Sequence, residues 1–553
     1  MSLVKKFLLF AIVVLLGGRL VWMYIIPAWK TIVTDFPNYY VSAWAVRHGG
    51  DLSQLYDPVW FEREKHRSGI ERPAALFNYF PPMNALIMWP LAELPPMQAK
   101  RAWTIINVIS LGAVIALTMK ASGLGWLPAT AVAFLGLDAL GTNFSYGQFY
   151  VVLTLLMLTA ILSAYRFPSI AGIASAAGML TKIFPAFLLV YFILRRQYRA
   201  LLFSVGAIII LMIIGLFLLG WAPHRVYLEE VLSRTLRGEV QDPYNVQWNT
   251  LQALLRRALV REETLNPAPI YDAPWLFFFL RPVVSLTIVA LTLFAIVRAR
   301  QRNILAEFGA IIAMISLITP SQAGYHQFLF YPAVANGIAQ SRRPSIAVGL
   351  AGIFALICSN IMRATAGFDS GAAMLFAFPR VYLVAILWAF FLFALRPPKP
   401  AIGSKFLIVT SSILLIFAGA AFSENKRWID DVADRAVLVP MPPPSFLEIQ
   451  PRFEGNRLIT SSLSRDGLSP LSPEEAPALS PDGLWIAYAT NVRGNWDIAL
   501  RSTRTGEVRF LTTSSANDLT PTFSPDGKSV YFASDRHRGY RFTAIYRIDI
   551  DVQ

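Results

Sequence analysis

Residues 168–194 read PSIAGIASAAGMLTKIFPAFLLVYFIL. The run is as apolar as a membrane helix, and at 1.5 Å per residue it is long enough to cross roughly 30 Å of hydrocarbon. Its middle, Thr181-Lys182-Ile183-Phe184-Pro185, holds a lysine and a proline. A mid-span proline frees a backbone carbonyl, and a cation at that depth needs a wet or protein-lined cavity. The run therefore reads either as one long span or as two short helices broken at Lys182. Which reading holds sets the topology of everything after it.

Charge decides between them. Further apolar stretches lie at about 7–28, 101–118, 124–141, 148–165, 200–221, 276–297, 304–319, 327–340, 345–362, 374–395 and 404–422. Lys5 and Lys6 are placed inside and the 168–194 run is counted as a broken pair. Lys120, Arg166, RRQYR at 195–199, RARQR at 298–302, Arg342-Arg343 and RPPKP through Lys405 then all face the cytoplasm. One continuous helix would turn every cluster from Arg195 onward outward. The broken reading predicts a polytopic α-helical membrane protein of about 11 to 13 membrane helices. It is expected in a bacterial inner membrane with its N-terminus cytoplasmic. The 30–100 loop, the Lys182 break, the 222–275 loop, the TPSQAGYHQ corner at 319–327 and the C-terminal tail are expected outside.

Composition agrees. Of 553 residues, 55% are hydrophobic and 15% charged, whereas soluble domains carry roughly 25% charged residues. The net charge of +15 sits mostly in short clusters beside apolar helices, so nucleic acid is not an expected partner. The basic, apolar N-terminus continues through VWMYIIPAW without a clean cleavage site and reads as a retained first span. Cys358 is the single cysteine, so no intrachain disulfide forms.

Past the membrane part, residues 1–422, the composition changes. A proline-rich linker is expected over 423–450, with PMPPPSF at 440–446, followed by a small all-β domain over 451–553. SPDGLWIAYATNVRGNWDIAL from Ser480 returns as SPDGKSVYFASDRHRGYRFTAIYRIDI from Ser524, an offset of 44 residues. Pro-Asp-Gly is turn chemistry, and the runs after it have strand composition. A weaker unit lies at 453–464. The repeats resemble the TolB-like β-propeller repeat, which implies a partial propeller, since two or three blades close no ring alone. Such a tail suits binding of a protein or cell-wall polymer better than catalysis. Asp482 and Asp526 fit turns better than metal ligation.

The 30–100 loop begins TDFPNYYVSAWAVRHGGDLSQLYDP. Asp35, at the membrane boundary beside aromatic side chains, suits a general base as well as it suits an ordinary loop aspartate. Asp57 before Pro58 fits a turn better than catalysis, and Met83–Leu94 is too short to span and is expected along the interface. Lys182 at a helix break fits a phosphate, with snorkelling as the plain alternative. His326 could donate to a phosphate or serve structure only. Tyr39, Asp57, Asn143, Gln148 and Asn249 are weaker candidates for contacting substrate, and Asn143, Gln148, Asn249 and Gln252 equally fit helix caps. No Walker loop, dinucleotide fingerprint, HExxH or paired Cys/His site is present, so neither metal nor cofactor is expected.

Five ordered segments resemble glycosyltransferase family 87, the GT-C-type mannosyltransferases that use a polyprenyl-phosphate sugar. They are DFPNYYVSAWAVRHG…LYDP, FNYFPPMNALIMWPLAELP, NFSYGQFYVVLTLLML, AGIASAAGMLTKIFPAFLL and TPSQAGYHQFLFYPA. The resemblance implies that Asp35 is the catalytic base and that Lys182, in the family's K-x-x-P element, lies near the donor phosphate. His326 falls where relatives carry W-x-H; here Gly324-Tyr325-His326 replaces that pattern. It also implies transfer of mannose or another hexose, with inversion, from a lipid-linked donor to a glycan or glycolipid hydroxyl outside the cytoplasm. Two other classes fit less: a transporter of lipid-linked glycans, for which inverted repeats are expected and none is found, and a membrane-anchored sensor.

Overall fold

The computed structural model describes residues 3–550 except 72–74, 78–79, 240–241, 263–264, 301, 361–366, 369, 397–403, 433–435, 442–446, 465–466, 469–476, 494 and 537–541. Among the described residues, four helices are long and apolar enough to cross a membrane alone: Leu3–Lys30, Pro96–Ser122, Tyr198–Leu219 and Pro274–Val297. Two bent pairs reach that length and apolarity together, as broken spans or re-entrant loops: Leu137–Tyr146 with Tyr150–Ser163 at 112°, and Gly371–Ala377 with Pro379–Leu395 at 55°. Shorter apolar helices lie at Trp126–Leu135, Pro168–Thr181, Phe184–Leu194, Ile304–Ile318 and Pro344–Cys358. Their outward faces keep Phe7, Trp22, Ile210, Phe217 and Phe393 exposed, the inside-out surface a lipid solvent permits. Phe308, Met314, Phe328, Tyr331 and Leu387 are buried at the centre of the bundle.

The 168–194 run is interrupted where lysine and proline predict it. The first helix ends at Thr181, Lys182 is extended at φ −155°, ψ 152°, and helical turns resume at Phe184. The expected span 124–141 divides at Gly136, where an added Cβ would meet the Phe354 ring at 3.1 Å. The expected span 327–340 starts as a tight 3-10 stretch, Gly324–Phe330, before the Tyr331–Gln340 helix takes over with Pro332 in its first turn.

The 30–100 loop is a small folded layer of its own. Helices Phe36–Arg47 and Pro58–Arg67 bury Tyr39, Tyr40, Phe61, Phe77 and Phe80 in an aromatic core. The Met83–Leu94 stretch forms two single 3-10 turns, Pro82–Leu86 and Trp89–Leu91, with Ala85 and Met88 buried in that core. It therefore packs under the loop as part of it.

The helix Ser404–Val432, which covers the expected span 404–422, runs ten residues into the expected linker. Its Trp428 packs with Tyr244, Phe277 and Phe278, which makes continuing the helix favourable. The proline run 442–446 lies outside the described residues. The tail is all β, in three antiparallel sheets. Strands Ala478–Leu479, Trp485–Thr490, Asp497–Ser502 and Val508–Phe510 form one in chain order; Leu447–Glu454, Arg457–Ser464 and Gly467–Leu468 form another. In the third, Asp518–Phe523, Ser529–Ser534 and Ala544–Asp549 are joined at the far edge by Val437–Leu438. The two Ser-Pro-Asp-Gly copies fold alike. Ser480 and Ser524 donate to Asp482 and Asp526 at 2.6 and 2.5 Å, and Gly483 and Gly527 take φ of +72° and +71°. Both aspartates thus serve turns.

Candidate active site

Asp35 follows the first membrane helix by five residues and precedes Phe36-Pro37, which opens the next helix. Its φ is +74° and ψ −46°, and Phe36 N–H reaches back to Thr34 carbonyl at 3.1 Å. This is a three-residue γ-turn of the positive-φ hand, rare and strained for a residue with a side chain. The turn aims the carboxylate out of the aromatic layer into a cavity. Burial raises the Asp35 carboxyl above its ordinary range, opposed in part by a hydrogen bond from Gln148 and by the charges of Lys182 and Lys100.

Gln148 Nε2 donates to Asp35 Oδ2 at 2.6 Å, while Tyr39 hydroxyl donates to Gln148 Oε1 at 2.9 Å. The amide is therefore oriented from behind. Its own position comes from the bend between Leu137–Tyr146 and Tyr150–Ser163. Gly147 turns the chain at φ +66°, and Gln148 N–H bonds Asn143 carbonyl at 2.9 Å. Lys100, fully buried, donates to the Phe144 and Ser145 carbonyls at 3.1 and 2.9 Å, and Trp103 indole donates to Gly147 carbonyl at 2.9 Å. A cation at this helix C-terminus satisfies carbonyls that have no helical partner and complements the dipole.

Lys182 arrives from the broken run. Asn84, from the 30–100 loop, donates to Thr181 carbonyl at 3.0 Å and Leu180 carbonyl at 3.3 Å, tying the end of that helix to the loop. Lys182 Nζ lies 4.3 Å from the centre of the Phe80 ring, a cation–π contact. His326 enters from the 3-10 stretch. Its Nδ1 lies 2.9 Å from Ala323 N and 3.1 Å from the Ala323 carbonyl, and its Nε2 meets the Tyr150 hydroxyl.

Asp35, Lys182 and His326 line one partly open cavity of about 700 Å³. Tyr150, Arg281, Gln252, Trp248 and Gln322 line it too, and Phe184, Phe187, Ile315 and Leu329 supply apolar wall. That volume falls within the roughly 300–1,000 Å³ of a small-molecule site.

The remaining sequence candidates sit elsewhere. Tyr39 and Gln148 are buried behind Asp35 and act on it. Asn143 is wholly buried in the bend, accepting from Tyr150 N–H at 2.9 Å and donating to Asn107 at 3.0 Å. Asn249, at φ +47°, donates to Ala377 carbonyl at 2.6 Å and accepts from Arg380 N–H at 2.9 Å. It joins two helices away from the cavity wall. Asp57 caps the Pro58–Arg67 helix by accepting from Val59 and Trp60 N–H at 2.9 and 2.8 Å. Tyr150 and Arg281 were not singled out from the sequence. Arg281 had a signal, a cation inside the apolar run FFFLRPVV; Tyr150 had none.

The model of Glycosyltransferase family 87 matches residues 78–320. Over 329 residues the chain is 26% identical to the polyprenol-phosphate-mannose-dependent alpha-(1-2)-phosphatidylinositol mannoside mannosyltransferase of Mycobacterium tuberculosis, 54% of this chain and 72% of that protein. Over 242 residues it is 28% identical to the polyprenol-phosphate-mannose-dependent alpha-(1-2)-phosphatidylinositol pentamannoside mannosyltransferase of Mycolicibacterium smegmatis, 43% of this chain and 56% of that protein. The matched family segment contains Lys182, Gln148 and Tyr150, and ends at the corner before His326.

Proposed function

We propose that this chain is a membrane glycosyltransferase of family 87, and that it moves mannose from a polyprenyl phosphate to a hydroxyl of a glycolipid acceptor on the extracytoplasmic face. The observation that carries the reading is the meeting of Asp35, Lys182 and His326, from three distant segments, in one cavity with apolar walls. A carboxylate with a raised affinity for protons, opposite a lysine, is the arrangement that a deprotonation coupled to phosphate departure requires.

In the reaction, Asp35 accepts the proton of the acceptor hydroxyl as its oxygen attacks the anomeric carbon. The bond from that carbon to the phosphate oxygen breaks, and its electron pair leaves with the phosphate, inverting the centre. Lys182 takes up the charge developing on the phosphate. His326 and Tyr150, in contact through Nε2 and the hydroxyl, face the departing group from the cavity wall that also holds Lys182. The apolar wall formed by Phe184, Phe187 and Leu329 accommodates the first isoprene units. Gln148, Tyr39 and Lys100 position the base without touching substrate.

Purified protein in lipid nanodiscs, given radiolabelled polyprenyl-phosphate mannose and phosphatidylinositol mannoside, is expected to form a longer glycolipid. No transfer from any polyprenyl-phosphate sugar to any lipid or glycan acceptor would contradict the proposal. The direction of the site is tested separately: a reporter fused after Arg199 is expected on the cytoplasmic side, and an external signal would reverse the topology.

A further inference from the structure

We infer that a second cleft, between the 30–100 loop and the β tail, binds the saccharide portion of the acceptor beside the catalytic cavity. The inference rests on the glycosyltransferase reading and adds a role for the tail. The cleft has a volume of about 330 Å³, with Gln54, Tyr56 and Asp57 on the loop side and Tyr488, Trp496 and Thr520 on the tail side.

Three properties select a neutral saccharide. Tyr488 and Trp496 offer partly exposed aromatic faces for the apolar face of a pyranose, while Ser53 and Gln54, which donate to Asp51, and Thr520, whose hydroxyl accepts from Gln450 N–H, keep further amide and hydroxyl bonding capacity for its hydroxyls. Among the described residues that line the cleft there is no lysine or arginine, so a phosphate or other polyanion is disfavoured. An added peptide strand is disfavoured too. Thr520 sits at φ +48° and is followed by Pro521, so the edge strand Asp518–Phe523 is broken where a partner would pair. A β-branched residue at positive φ is an outlier, and such strain concentrates at binding sites.

The cleft is adjacent to the reaction centre. Val226 lines it, while the next residue, Tyr227, lines the catalytic cavity. Tyr227 also stacks on Tyr56 of the cleft with ring centres 6.4 Å apart. A chain of sugars leaving the cavity past Tyr227 therefore meets the cleft next. The tail is held firmly enough to preform it. Arg234 donates to Asp535 at 3.0 Å and to Ser515 carbonyl at 2.9 Å, and Arg427 donates to Ser515 hydroxyl at 2.7 Å and Glu239 at 3.3 Å. Asp535 is buried and further fixed by Asn517 N–H and Nδ2 at 2.8 and 3.0 Å, as a buried ion pair needs.

The test uses the full chain in nanodiscs with two acceptors, one lipid carrying a single mannose and one carrying four. Trp496→Ala is expected to raise KM for the longer acceptor about tenfold, with kcat unchanged and the short acceptor unaffected, the effect of losing one stacked aromatic. Trp496→Phe is expected to restore most of the affinity. Equal effects on both acceptors, or none on either, would overturn the inference while leaving the transferase reading intact. Should Trp496→Ala lower the melting temperature, Tyr488→Ala is read by the same criteria. Binding of free α-mannotriose to the Asp35→Asn protein, followed by saturation-transfer NMR, separates the two claims. Binding lost on Trp496→Ala supports the cleft even if no donor is ever turned over, and no binding to the Trp496-containing protein removes the cleft.

Discussion

The setting of Asp35 comes from backbone as much as from burial. A γ-turn with φ +74° detaches its side chain from the helix that follows, and one amide, Gln148, holds it from the side. The carboxyl must be ionised to act as a base, and its affinity for protons is raised by burial. Activity should therefore rise with pH through a limb lying above the usual carboxylate range. Gln148 and Lys182 both favour the ionised form. Removing the amide in Gln148→Leu should thus move the limb to higher pH; a shift to lower pH in a pH–rate profile would contradict the assigned role. Lys182→Met should cut turnover by about 10²–10³, the scale of one preorganised group on a developing charge, and should raise the same limb. Single-turnover rates across pH report both effects. Asp35, Lys182 and His326 were legible in the sequence because polar residues are scarce and costly in an apolar chain. Gln148 and Tyr150 were not legible in the roles they take, since a glutamine and a tyrosine at a helix end most often cap or anchor it. Only the fold sets one behind Asp35 and the other against His326.

At the level of elements, the site is built from interrupted helices. The Lys182 break could be read because lysine and proline both oppose a continuous span. The 112° bend at Gly147 could not, because glycine is common in membrane helices and its positive φ leaves no trace in hydropathy. Yet that bend places Gln148. A Cβ at Gly147 would lie 2.9 Å from both Lys100 Nζ and Phe36 Cβ, and the left-handed conformation adds strain. Gly147→Ala is accordingly expected to lower stability by about 1–3 kcal/mol and to depress kcat more than donor KM. Thermal melting together with steady-state kinetics checks this; a variant as stable and as active as the parent would show that the bend does not position the base.

Taken whole, the molecule joins a membrane bundle to a β tail through buried charge. Glu239 is central: burial alone would raise its carboxyl, but Arg427, Arg256 and Arg237 hold it far below the ordinary range. The segment it anchors also serves the cavity, since Arg237 carbonyl accepts from Gln252 at 3.0 Å and Arg281 at 2.8 Å, both cavity residues. Asp535→Ala removes the carboxylate of a buried ion pair with Arg234, a loss of about 3 kcal/mol, so the tail should become sensitive to limited proteolysis and transfer should weaken. The two-part organisation was plain from composition, whereas the contact between the parts was not, because nothing in the sequence around Arg234 marks its distant carboxylate, Asp535. The central claim remains that the cavity around Asp35 performs sugar transfer. Its most direct test compares wild type and Asp35→Asn in nanodiscs with labelled polyprenyl-phosphate mannose, melting temperatures being matched. The account predicts a fall in transfer of about 10²–10⁴ with folding intact; undiminished transfer by Asp35→Asn would contradict it.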